Sequence, residues 1–322
     1  MTRSKTVKSS PALAGLIHAV VKFGGLLPLA PARACGSLLG RLCAALPLEP
    51  RKVADLNLKL SFPEMPAAER RRLARRSLEE AGKSLMEVAC LWQWPLQRIE
   101  SLPETVEGEE LLQRSLANGR GTVLLAPHFG NWEFLNHFLA RRFPLVYLYR
   151  PPRIAELDEL VCRARGRTGA TAVPASPAGL RPLLRTLRSE LPILILPDQE
   201  PLKEHGVHAP FFGVPALTMT LVSRLLRRTG ADALYVFAER RPGGFHVRFR
   251  EALPGLDDSD PVVAATALNR GVEDCVRLCR EQYLWSYKRF LTAPPGEPTP
   301  YREIWSRRRL RRNPWPPLTP RG

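Results

Sequence analysis

Apolar positions fall into two textures along the chain. Over residues 69–94, Leu73, Leu78, Ala81, Leu85, Val88, Ala89 and Trp92 recur three to four apart with charges between them, the period of one helical face. Residues 51–99 as a whole read as helices. After residue 121 the texture changes to short apolar runs at 122–126, 145–149, 193–196, 234–238 and 246–250. Helical pieces lie between them at 132–141, 156–165, 178–188 and 218–229. Strands alternating with helices predict an α/β fold, a mostly parallel central sheet flanked by helices. The last two runs are split by Arg241-Pro242-Gly243-Gly244 and read as a hairpin. One more helix is predicted over 262–283.

The N-terminal residues follow neither texture. Arg3, Lys5 and Lys8 precede an apolar stretch over 11–30 that contains His18 and Lys22 and is broken at Gly24, Gly25 and Pro28. A second apolar stretch, 34–48, is interrupted by Arg41. A spanning helix needs about 20 predominantly apolar residues. A lysine near its centre costs about 2.5–3.5 kcal/mol on insertion. Two interrupted apolar helices with basic flanks therefore predict a helical membrane-anchoring segment that lies in the interface or re-enters it. A single spanning helix and a pair of helices packed on the main domain are the alternatives. Ala32-Arg33-Ala34 before Cys35 imitates a signal-peptide cleavage site, but Lys22 interrupts the apolar region and fold-like sequence continues unbroken.

Charge changes the picture next. The 322 residues carry 48 Lys+Arg against 31 Asp+Glu, a net +17, and only 8 of the basic residues are Lys. Such a balance points to an acidic partner, or to an arginine-rich genome with no functional meaning. Nucleic acid is set aside, because no zinc finger, RNA-binding aromatic signature or basic heptad region is present. Cys35, Cys43, Cys90, Cys162, Cys275 and Cys279 form no C-x-x-C pair and no zinc spacing, which suits free thiols in a reducing compartment. No metal is expected; His205 and His208 near Asp198 are too irregularly spaced. The tail, 294–322, is rich in Pro and Arg and is expected to be solvated or to lie on an anionic surface.

Candidate chemistry concentrates in TVLLAPHFGNWEFLNHF, residues 122–138. An apolar strand ends at Ala126-Pro127, His128 follows, and Asn131 is a reasonable cap for a helix with Glu133 in its first turn. Active sites of open α/β sheets lie at the carboxyl ends of strands. A strand–loop–helix turn can bring His128 and Glu133 together, and an imidazole held by a carboxylate is a general base. The spacing alone leaves a turn histidine with a capping glutamate equally open. His137, on the same helix, reads as a surface or core histidine.

His128-x-x-x-x-Glu133 after an apolar strand resembles the H-x-x-x-x-D/E motif of the lysophospholipid acyltransferase superfamily. Further marks resemble one branch, the late acyltransferases of lipid A biosynthesis. They are Asn57-Leu58, Phe62-Pro63-Glu64, Tyr149-Arg150-Pro151, Leu196-Pro197-Asp198-Gln199, PFFGVPALT at 210–218 and QYLWSYKRF at 282–290. Tyr287 is a departure, since many members have His there. The resemblance runs from about residue 45 to about 300. It implies an acyltransferase domain over 51–293, with a helical part over 51–120 and a catalytic sheet over 121–293, between the membrane-associated segment 1–50 and the tail. It also implies a bacterial inner-membrane enzyme on the cytoplasmic face that moves a fatty acyl chain from acyl carrier protein to a hydroxyl of a lipid A precursor. Another lipid acceptor, or a coenzyme A donor, is the alternative.

On that reading His128 takes the hydroxyl proton, Glu133 orients the imidazole, and backbone amides near Gly130 are candidates for the oxyanion. No cofactor is needed, the acyl thioester being a co-substrate, and no Ser or Cys in a nucleophile context appears, so transfer is direct. Arg150, Arg153, Arg163 and Arg165 are substrate-binding candidates for phosphate on donor and acceptor. Asp198, at a strand end, is expected to place the acceptor or a basic residue. Gly213, with Phe211, Phe212 and Pro215, forms an apolar loop expected to line an acyl groove or pack in the core. Trp285 and Phe290 are expected in the core, with Lys288 and Arg289 facing lipid.

Overall fold

The structure is a computed structural model that describes residues 11–149, 155–175, 177–302 and 304. Arg150, Arg153 and the arginines of the tail lie outside the described residues. Five helices come first: α1 (Pro11–Leu26), α2 (Leu29–Ala45), α3 (Glu49–Ser61), α4 (Ala67–Gln93) and α5 (Leu96–Glu100). Alternation then begins with β1 (Glu104–Glu107), α6 (Glu109–Ala117), β2 (Thr122–Leu125), α7 (Trp132–Ala140), β3 (Val146–Tyr149), α8 (Ala155–Gly166), β4 (Thr171–Pro174), α9 (Pro177–Arg188) and β5 (Pro192–Ile195). It closes with β6 (Gly206–Phe211), β7 (Val214–Met219), α10 (Leu221–Thr229), β8 (Asp232–Arg241), β9 (Gly244–Glu251) and α11 (Pro261–Leu278).

Seven strands form one sheet in the order β1-β9-β8-β2-β5-β3-β4. The five from β8 to β4 are parallel; β9 returns antiparallel on β8 through the expected hairpin, and β1 runs parallel to β9. This is the mixed α/β fold the alternation predicts. The central strands β2 and β5 are buried at every position. Alternate residues feed opposite faces, as a pleat requires. Val123, Leu125, Ile193 and Ile195 join α9, α10 and α11 on one side. Leu124, Ala126 and Leu194 meet Phe134 and Phe138 of α7 on the other.

Three local readings change. The segment expected to be helical over 51–120 contains β1, which joins the sheet edge. The helix expected from 218 starts at Leu221, because 214–219 is a strand paired with β6 in a separate two-stranded sheet against α11. The last helix ends at Leu278, followed by a short 3-10 turn at Arg280–Gln282.

The N-terminal helices pack on α4 with unusual polarity. The buried face of α2 consists of Ala32, Gly36 and Gly40. A Cβ on Gly36 would lie 2.4 Å from the carbonyl oxygen of Gly82, and one on Gly82 would lie 2.1 Å from that of Gly36. Only glycine permits this backbone approach. The large side chains are turned outward: Leu38, Leu39, Leu42 and Leu46 on and after α2, and Phe23 and Leu26 on α1, are exposed. Among the described residues no helix is long and apolar enough to cross a membrane. On α4, Leu85 was expected on the core face but is 55% exposed, whereas Ser77, Ser84 and Glu87 are buried.

Candidate active site

Strands β2 and β5 pair in parallel with Leu125 opposite Ile195, and the ladder continues as the Ala126 amide donates to the Ile195 carbonyl at 2.9 Å. Each strand is then followed by the same short pattern, Ala126-Pro127-His128 and Leu196-Pro197-Asp198. Equal extension from a paired register brings His128 and Asp198 side by side at the carboxyl edge of the sheet. His128 Nδ1 lies 2.8 Å from Asp198 Oδ1, and the His128 amide donates to Asp198 Oδ2 at 2.9 Å. Burial pushes the Asp198 carboxyl up, but the His128 charge and both hydrogen bonds together hold it below the usual carboxylate value. In the neutral ring an ionised Asp198 favours the tautomer with the proton on Nδ1 and the lone pair on Nε2. Nε2 faces the side-chain amide nitrogen of Gln199 at 3.0 Å. The Trp132 ring stands edge-on to the imidazole, with centroids 5.2 Å apart.

Glu133 does not hold the imidazole. Asn131 caps α7, accepting from the Phe134 amide at 2.8 Å, and this places Glu133 in the first turn as expected. Its carboxylate, however, is gripped by both arms of the Arg165 fork, with Nε at 3.1 Å from Oε2, and accepts from Trp92 Nε1 at 3.3 Å. Arg165 also lies over the Tyr147 ring, 5.0 Å from its centroid. Burial opposes the charge on Arg165, yet Glu133 and Tyr147 more than restore it and raise its pKa. The helix turns Glu133 toward α8 and away from the histidine that the linear motif joins it to.

The amides of the turn are also committed. Those of Phe129, Gly130 and Asn131 donate to the carbonyls of Pro127, Gln282 and Ala238, so these three are not free to meet an oxyanion. Gly130 has φ +58°, and a Cβ there would lie 2.0 Å from the Ala238 carbonyl oxygen, so this position demands glycine.

Beneath the turn lies a buried charged cluster. Glu87 accepts from Arg33 Nε at 2.5 Å, from Arg240 Nε and Nη2 at 2.7 Å each, and from Asn131 Nδ2 at 2.9 Å. Arg240 also donates to Glu80 at 2.5 Å and to the Ser84 hydroxyl at 2.7 Å, and Ser84 donates to the Gly130 carbonyl at 3.0 Å. Burial alone would raise the Glu87 pKa; Arg240, Arg33 and Asn131 together bring it below the ordinary value. Helices α2 and α4, strand β8 and the His128 turn are thereby tied at one point.

The remaining candidates scatter. Arg163 is exposed on α8. Gly213 is exposed at the β6–β7 turn with φ +77°, while Phe211 is buried. Trp285 and Phe290 are core residues. Arg289 is buried too, donating to the Leu217 carbonyl and to Thr218 and Asn269, and Lys288 pairs with Glu49, so neither faces lipid as expected. His137 is buried. His208 Nε2 lies 3.1 Å from the Thr292 carbonyl, and His205 is exposed. No three metal-ligating side chains gather among the described residues.

A model of bacterial lipid A biosynthesis acyltransferases matches residues 4–292. The chain belongs to that family. Among its relatives, the lipid A biosynthesis lauroyltransferase of Escherichia coli K12 is 30% identical over 272 residues, 83% of this chain and 87% of the relative. The palmitoleoyltransferase of the same organism is 27% identical, covering 83% and 87%, and the myristoyltransferase is 25% identical, covering 82% of each. This lipid A biosynthesis acyltransferase thus carries, at its His128 turn, the motif on which the resemblance rested. The acyltransferase pairs that histidine with Asp198, which the sequence had offered only as a substrate-binding candidate. The missed signal was the repeated strand–Pro–polar ending of 126–128 and 196–198. Nothing comparable in the sequence marks Glu87 or Arg240.

Proposed function

We propose that the acyltransferase moves a fatty acyl chain from an acyl carrier protein thioester to a hydroxyl of a lipid A precursor, with His128 as general base. The observation that carries this is the imidazole at the carboxyl edge of the sheet, with Nδ1 2.8 Å from the buried Asp198 carboxylate and Nε2 on the opposite side, facing Gln199. The hydroxyl gives its proton to Nε2 as its oxygen attacks the thioester carbonyl, and Asp198 stabilises the imidazolium. Glu133 acts through Arg165, fixing a cation beside the site. Five thiols, those of Cys43, Cys90, Cys162, Cys275 and Cys279, are pushed above their ordinary value, chiefly by burial, which favours direct transfer over a thioester on the enzyme. Arg163, with Arg150 and Arg153, is assigned to phosphate groups of donor and acceptor.

We infer that the enzyme works on the cytoplasmic face of the inner membrane, and its outward leucines support contact with a lipid surface. Leu38, Leu39, Leu42 and Leu46 with Phe23 and Leu26 make an apolar face, and an apolar groove of about 470 Å³ opens between Phe23, Leu38, Leu39 and Met86. Lys22 and Arg41 lie exposed on the same helices, and the net charge of +17 suits anionic headgroups. The test is transfer by purified, detergent-solubilised protein from acyl carrier protein thioesters to a tetra-acylated lipid A precursor, with His128→Ala as control. Transfer abolished in the variant supports the reading. Transfer only to a lysophospholipid, or only from coenzyme A, overturns the acceptor or donor, and activity in the variant overturns the base.

A further inference from the structure

A direct acyl transfer needs a donor of hydrogen bonds to the oxygen that becomes negative when the tetrahedral intermediate forms. The backbone amides of the turn from His128 to Asn131 are not free. The amide of His128 is on Asp198, and those of Phe129, Gly130 and Asn131 are on carbonyls at 2.7, 3.0 and 2.9 Å. Arg165 is held by Glu133. Among the described residues, one side-chain donor meets the reactive nitrogen of His128, the amide of Gln199.

Its orientation follows from the proton count. With Nδ1–H donated to Asp198, Nε2 has only a lone pair to offer, so the Gln199 group facing it at 3.0 Å is the NH₂ and not the carbonyl. The backbone that carries it is pinned on both sides. Asp198 takes the two bonds from His128, and the Glu200 amide donates to the Tyr287 hydroxyl at 2.9 Å. The Glu200 carboxylate accepts from the Thr292 amide at 2.9 Å and from its hydroxyl at 2.8 Å. The Tyr287 that departs from the family pattern therefore helps to hold this segment.

We propose that Gln199 is a catalytic residue, its side-chain amide donating to the developing oxyanion of the acyl group. The inference rests on His128 acting as base on a thioester. The acceptor hydroxyl displaces the amide from Nε2 and takes its place there. As the C–O bond forms, the hydroxyl proton passes to Nε2 and the carbonyl π electrons move onto oxygen. The Gln199 N–H released from Nε2 is then within one side-chain rotation of that oxygen. On collapse the C=O bond re-forms, the C–S bond breaks, and the imidazolium returns its proton to the leaving thiolate. The same amide therefore guards the lone pair before the reaction and answers the negative charge during it.

The experiment compares wild type, Gln199→Met, Gln199→Glu and His128→Ala in the transfer assay, with melting curves for each and ¹⁵N signals of the His128 ring. Gln199→Met removes the donor at nearly constant volume; Gln199→Glu keeps the shape should the Met variant fail to fold. The expected result is a kcat lower by about 10²–10³-fold in both variants, the scale of losing one oxyanion donor. KM is expected to stay within about threefold, because the interaction is made only in the transition state. In Gln199→Met the His128 ring signals are expected to report the same Nδ1–H tautomer as wild type, whereas the Gln199→Glu carboxylate accepts from Nε2–H and is expected to favour the protonated ring. A kcat within about threefold of wild type while His128→Ala is inactive overturns the proposal and leaves the base intact. A loss confined to KM, or a changed tautomer in Gln199→Met, overturns it in favour of binding or positioning. Transfer that survives in His128→Ala, or is absent in wild type, overturns the general-base reading and this inference with it.

Discussion

Asp198 and Glu133 are both buried carboxylates, and they hold different things. Asp198 sits at the end of a strand and binds an imidazole; Glu133 sits in the first turn of a helix and binds a guanidinium. The first partner gains and then gives up a proton in the proposed cycle, while the second stays charged throughout. A linear motif selects residues that matter without saying which of them touch. Contact is decided by register for the strand pair and by helical rotation for Glu133.

Asp198→Asn is the sharpest way to break this comparison. An amide N–H facing Nδ1 moves the ring proton to Nε2, and the base is lost. The expected fall in kcat is about 10²–10⁴-fold, similar to His128→Ala. A transfer assay giving more activity in Asp198→Asn than in Glu133→Gln would reverse the assignment. Glu133→Gln instead leaves Arg165 charged and buried, and melting is expected to show a loss of about 3–5 kcal/mol. Most of it should return in the double variant Glu133→Gln/Arg165→Met, because the penalty is the unpaired charge.

Acid titration separates the same groups. The folded pKa of Asp198 lies below its unfolded value, as does that of Glu87. Their stabilisation is complete above the unfolded values of about 4 and disappears as pH falls through the lower folded values. His137 is also depressed, by burial first and then by Arg141, so its contribution is present above about 6.5 and declines as pH drops from there. Melting temperature should thus fall gently below about pH 6.5 and steeply below about pH 4, with the gentle phase absent in His137→Leu. The smallest effect is expected from Ser84→Ala. Losing the bond donated to the Gly130 carbonyl and the one accepted from Arg240, whose Nη2 still donates to Glu87, should cost about 1–3 kcal/mol in a denaturant melt.

Much of this was legible in the sequence where burial was uniform. β2 and β5 are continuous apolar runs and stood out; β1, Glu-Thr-Val-Glu at the sheet edge, is not apolar. Its Glu104 pairs with Arg141 and Arg142, and its Glu107 with Arg248 and Arg250. The β6–β7 hairpin was hidden by Pro210 and Pro215, which face each other in it and read as loop. Of the site, His128 and the capping role of Asn131 could be read, since both follow from a strand end and a helix start. The His128–Asp198 contact needed the β2–β5 register. Glu87 and Arg240 could not be paired at all, because 153 residues separate them and only the fold supplies the meeting.

Arg33 gives the N-terminal hairpin a significance that its apolar surface conceals. Cutting the chain after α2 is a natural route to a protein easier to handle in water. It would remove one of the two guanidinium groups on Glu87 and the donor to the Arg241 and Gly244 carbonyls at 2.6 and 2.9 Å. The cap of α7, Asn131, would then lean on a carboxylate short of a positive partner. A shortened enzyme that dissolves readily should be slow for this reason, and solubility gained by replacing the outward leucines with polar residues should leave turnover in detergent nearly untouched.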